Sequence, residues 1–84
     1  LKINIRADVV KNKSFDPYFV VKVSYDDGKN KFVEEMVSVE RKPPRVTIEY
    51  SETINRMMDR IDIKKIELEI MKAIVEDLLG PKKR

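Results

Sequence analysis

Between residues 51 and 79 the apolar side chains keep a helical period but change phase once, and that break limits what the chain can fold into. Ile54, Met57, Met58 and Ile61 mark one helical face, and Ile63, Ile66, Ile70, Ala73 and Ile74 mark a second. At about 100° per residue, the two faces differ by roughly 130° on one continuous cylinder. A single straight helix would therefore bury one run and expose the other. The segment "IDIKKIELEI" (61–70) also alternates, as a half-buried strand would. A strand there would leave "MKAIVEDLL" as an isolated helix of about nine residues, shorter than the average. Two helices broken near Arg60 to Asp62 resolve the conflict. Ser51 suits the first N-cap, Asp62 the second, and Gly80-Pro81 the final stop.

The first half of the chain carries the other period. In "KINIRADVV" Ile3, Ile5, Ala7 and Val9 share one face, opposite Lys2, Asn4, Arg6 and Asp8. After a loop, "KNKSFDP", the run Tyr18 to Tyr25 is β-branched and aromatic, with Phe19, Val21, Val23 and Tyr25 facing inward. "DDGKN" supplies an Asp-Gly hairpin turn. The return segment "KFVEEMVSVE" reads as a strand with a bulge near Glu34-Glu35, with a short helix as the competing reading. "RKPP" reads as a linker, and "RVTIEY" as a short fourth strand. The expected fold is α+β: an antiparallel sheet of three to four strands (β-β-β-β), then two C-terminal helices packed on one face. Residues 1–80 form a single domain in this reading, and 81–84 a basic C-terminal tail.

The second helix has more apolar surface than one sheet can cover. Its apolar arc spans roughly 240°, whereas a helix lying on one sheet face needs only about 100–140°. The consistent polar stripe is Lys65, Glu69, Lys72 and Glu76. Leu68, Met71, Val75 and Leu79 are the surplus, to be covered by the first helix or by a second chain. These four residues are the candidate interface, and homodimerisation through this helix is the expectation.

Charge bears on the competing possibility. The chain carries a net +3, and Lys82, Lys83 and Arg84 account for all of it, so residues 1–80 are balanced. Bulk charge therefore gives no footprint for nucleic acid. Pattern gives a better one, because the sheet face away from the helices would carry Lys2, Arg6, Tyr18, Lys22 and Arg45. Basic side chains around an aromatic ring form a platform on which single-stranded nucleic acid stacks. The order of "RVTIEY" and two helices is also similar to the ribbon-helix-helix DNA-binding family, with "EIMKAIVEDLL" resembling its second helix. That likeness implies DNA contact from the strand's outward residues, here Arg45, Thr47 and Glu49, of which Glu49 would meet phosphate.

Composition removes several chemistries. No Cys, His, Trp or Gln occurs, so disulfides, thiolate or imidazole zinc sites, and Ser/His or Cys/His nucleophilic catalysis are all excluded. The only two glycines, Gly28 and Gly80, cannot form a phosphate-cradling loop. The carboxylates of "DDGKN" lack the spacing of a calcium loop and serve a turn better. Neither catalytic residues nor a metal or cofactor is expected. Charged residues at 39%, rich in Lys and Glu, match a protein that works hot. No apolar run reaches membrane-spanning length, and no signal-peptide pattern opens the chain, so a cytoplasmic location is expected. The sequence thus points to a small non-enzymatic interaction or assembly module whose partner is itself or another protein, with nucleic acid as the alternative and no membrane.

Overall fold

A computed structural model describes residues 2–80. Four strands, β1 (Asn4–Val9), β2 (Tyr18–Asp26), β3 (Lys31–Lys42) and β4 (Arg45–Glu49), precede two helices, α1 (Glu52–Arg56) and α2 (Ile63–Leu79). The strands form one antiparallel sheet in the order β1-β2-β3-β4. This is the α+β architecture that the two periodicities predict. The basic tail expected at 81–84 lies outside the described residues.

Alternation in β2 and β3 builds the floor of the core. Phe19, Val21, Val23 and Tyr25 are buried, with Phe32, Val37 and Val39 beside them. Helix α2 lies along β1 and β2 and buries Ile66, Ile70 and Ile74, spaced one turn apart on a single stripe. Helix α1 sits against β3 and contributes Ile54, which is fully buried. The α-helix of the first run stops at Arg56, short of the periodic face through Ile61. Hydrogen-bonded turns continue it to Arg60, so Met57, Met58 and Ile61 still pack against the core.

The phase break is fixed by hydrogen bonds at both sides. Ser51 Oγ accepts from the Ile54 N–H at 3.3 Å, and Asp62 Oδ1 accepts from the Lys65 N–H at 3.1 Å. Both are N-caps that satisfy otherwise orphaned first-turn donors. The β2–β3 hairpin loop then clamps the junction. The buried Tyr25 hydroxyl donates to Asp27 Oδ2 at 2.6 Å and accepts from the Asp62 N–H at 3.1 Å. Asn30 Nδ2 donates to the Arg60 carbonyl at 3.1 Å. The start of α2 is thus set by the same loop that turns the sheet.

Residues 31–39 are strand, not helix, and carry the expected bulge. Tyr25 pairs with Phe32 and Val23 with Glu35, so Val33 and Glu34 together oppose Ser24. Glu34 adopts φ 53, and its N–H donates to Ser24 Oγ at 2.9 Å. The bulge reverses the alternation, which is why Phe32 and Val37 both reach the core despite their odd separation. "RKPP" differs from its reading as a linker. β3 runs on through Lys42, and Pro43-Pro44 is the two-residue turn of a β3–β4 hairpin in which Lys42 pairs with Arg45. Prolines at the turn cost the ladder no donor, since the bonded residues lie outside them.

Candidate interaction surface

Two faces remain open to a partner: the outer side of α2 and the sheet face away from the helices. On α2, Leu68 and Val75 lie nearly opposite the buried Ile66–Ile70–Ile74 stripe, at about 100° per residue. Leu68 is 60% exposed, Val75 49% and Leu79 71%, and Met71 is partly buried. Leu68, Met71 and Val75, with Lys72 and Glu76, line a shallow depression of about 330 Å³. The structure therefore brings the four expected interface residues onto one side of α2. Internal cover by the first helix, the competing reading, is not what occurs, because α1 packs on β3 while α2 packs on β1 and β2. Leu78, 43% exposed, extends the stripe on one flank. On the other flank stand Lys65, Glu69, Lys72 and Glu76, and Lys72 Nζ lies 3.8 Å from Glu69 Oε2.

The open sheet face gathers Arg6, Tyr18, Lys22 and Arg45 as alternation predicts, with the exposed Lys2 just before β1. It also carries a feature that the linker reading concealed. Because β3 extends through Lys42, that ammonium sits 5.9 Å from the centre of the Tyr18 ring and 3.0 Å from Glu40 Oε2. The bond to Glu40 and the neighbouring Tyr18 hydroxyl hold the Lys42 pKa above its usual value. Phe15, 69% exposed, meets Tyr18 edge-on with ring centres 5.8 Å apart. Acidic groups interleave with these cations. Arg6 Nε lies 3.4 Å from Asp8 Oδ2. Asp8, Asp26, Glu34, Glu40 and Glu49 share the face with Lys2, Arg6, Lys22, Lys31, Lys42 and Arg45, five carboxylates against six cations, so its charge is of mixed sign. A backbone-tracking groove needs one sign of charge, and this face does not present it.

The Asp-Gly turn is occupied by its own bonding. Asp27 Oδ1 accepts from the Lys29 and Asn30 N–H groups at 2.8 and 2.7 Å, and Asp26 Oδ1 accepts from the Gly28 N–H at 2.9 Å. The Tyr25 hydroxyl and those N–H groups hold the Asp27 carboxyl below the ordinary range, while burial pushes the Tyr25 hydroxyl up. Burial, with the Glu67 carboxylate as a lesser cause, also raises Tyr50. Among the described residues no three acidic side chains converge as metal ligands, and no helix is long and apolar enough to cross a membrane. Compared with models of known families, with curated proteins and with solved structures, the chain gives no significant match.

Proposed function

We propose that this chain is a small non-enzymatic interaction module that forms a homodimer through the outer face of α2. The observation that supports it is the uncovered stripe Leu68–Val75–Leu79, set on the helix whose opposite side buries Ile66, Ile70 and Ile74. Surface leucines are ordinary when scattered, but a contiguous apolar stripe with a charged flank has the form of a contact surface. Sedimentation velocity tests the reading. The wild-type chain sediments as a dimer in a concentration-dependent equilibrium, and Leu68→Glu or Val75→Glu moves it to monomer without altering its circular dichroism. Both substituted side chains already contact solvent, so the fold tolerates the charge. A wild-type protein that stays monomeric at all accessible concentrations overturns the proposal.

The alternative, single-stranded nucleic acid on the open sheet face, draws support from the exposed Tyr18 ring beside Lys42 and is opposed by the carboxylates interleaved among the cations. A labelled oligonucleotide bound at about 50 mM salt, and released by Arg6→Ala or Lys22→Ala, would favour it.

A further inference from the structure

The charged flank of α2 reads Lys65, Glu69, Lys72, Glu76, and its spacing of four, three and four residues is symmetric while its signs are antisymmetric. Reversing the helix exchanges Lys65 with Glu76 and Glu69 with Lys72, so every cation meets a carboxylate. From this we infer that the second copy docks antiparallel across a two-fold axis at the middle of α2, with Lys65 facing the partner's Glu76 and Glu69 facing the partner's Lys72. The inference rests on the dimer reading above and adds its orientation.

Two further observations agree with it. The midpoint of the charged flank falls between Ile70 and Met71, and the midpoint of Leu68 and Val75 falls between Met71 and Lys72, with Leu79 extending the stripe beyond the paired segment. The two centres are one residue apart, or about 1.5 Å along the axis. That offset is well within the reach of Lys and Glu side chains. In addition, the two flanks of the stripe differ, one wholly charged and the other mixing Met71 and Leu78 with the exposed Lys64 and Glu67. An antiparallel two-fold sets like flanks together, so the wholly charged flank of each helix meets its counterpart. A parallel pair would lay the wholly charged flank of each helix on the mixed flank of the other, so that Lys72 meets Met71 and Glu76 meets Leu78. Parallel docking loses the alternating Lys–Glu match of the charged flank.

Charge reversal reads the orientation. Lys65 and Glu76 stand eleven residues apart on the helix, about 16 Å, so they cannot touch within one chain. Lys65→Glu alone and Glu76→Lys alone each turn two attractive contacts into repulsive ones, and each weakens dimerisation about tenfold or more. The double variant Lys65→Glu/Glu76→Lys restores the pairing with signs exchanged and returns the dissociation constant to within about threefold of wild type. Helix loss does not explain the single effects, because a Glu in the first turn and a Lys near the last turn both suit the helix dipole. The chain has no native cysteine, so oxidation gives a second readout. Leu68→Cys/Val75→Cys cross-links into a covalent dimer, while Leu68→Cys alone does not.

A double variant no tighter than the singles, or self-cross-linking of Leu68→Cys alone, overturns the antiparallel order while a sedimenting dimer keeps the broader reading. A wild-type protein that is monomeric throughout overturns both.

Discussion

At the scale of single residues, the hairpin loop shows how one carboxylate can serve turn and core together. Asp27 accepts from the Tyr25 hydroxyl and from two backbone N–H groups, and Tyr25 in turn receives the Asp62 N–H that opens α2. These donors favour the ionised carboxyl, so Asp27 titrates lower in the folded chain than in the unfolded one. Its contribution to stability is therefore complete above the unfolded value near pH 3.9 and is lost as pH falls through the lower folded value. Melting temperature followed from about pH 6 to about pH 2 should fall, and Asp27→Asn should fall less steeply across that window. Tyr25 behaves in the opposite sense. Its raised value makes its contribution complete below about pH 10 and lost as pH rises through the folded value. An unchanged acid slope in Asp27→Asn would remove the carboxylate from this role.

At the scale of elements, what could be read in the chain depended on whether the signal was local. The two helices were legible because Ile54–Ile61 and Ile63–Ile74 differ in phase and because Ser51 and Asp62 stand where caps are needed. Asp62→Ala should cost about 1 kcal/mol, measured by urea denaturation, because it removes the side-chain acceptor for Lys65 and keeps the backbone bond to Tyr25. No loss of stability would mean that tertiary packing alone positions the helix start. The β2–β3 hairpin and its bulge were equally legible, since the Asp-Gly turn sits between matched runs. The β3–β4 hairpin was not. Two consecutive prolines carry no N–H, and their sequence alone does not separate a linker from a turn whose bonds are made by the flanking Lys42 and Arg45. Missing that turn also hid the Lys42–Tyr18 contact, which exists only when β3 runs to its full length. The surplus apolar arc of α2 was visible as a count of faces. Its exposure depended on where α1 lands, which is a tertiary fact.

At the scale of the whole molecule, the chain is one layer of sheet and one of helix, so the proposed pairing through α2 would give four layers in the order sheet, helix, helix, sheet. The contact is small. A helix of 17 residues is about 25 Å long and about 10 Å across, which gives roughly a few hundred Å² per protomer. Standard interfaces bury about 800 Å² per partner, so a weak, concentration-dependent dimer is the expected form. The open sheet faces then point away from each other. Their mixed charges and exposed Tyr18, Phe15 and Met36 remain outside the pairing.

Helix α2 has one side in the core, through Ile66, Ile70 and Ile74, and the other in solvent, through Leu68 and Val75. The same cylinder therefore roofs the fold and, in the proposed dimer, meets the partner. A hinged lid could change its contacts while the core stayed closed, but this helix cannot, because lifting it would uncover Val21 and Val23. Occupancy and folding are then thermodynamically linked, so any molecule that settles on the outer stripe makes unfolding harder. A rise in melting temperature with protein concentration would register that linkage without a label.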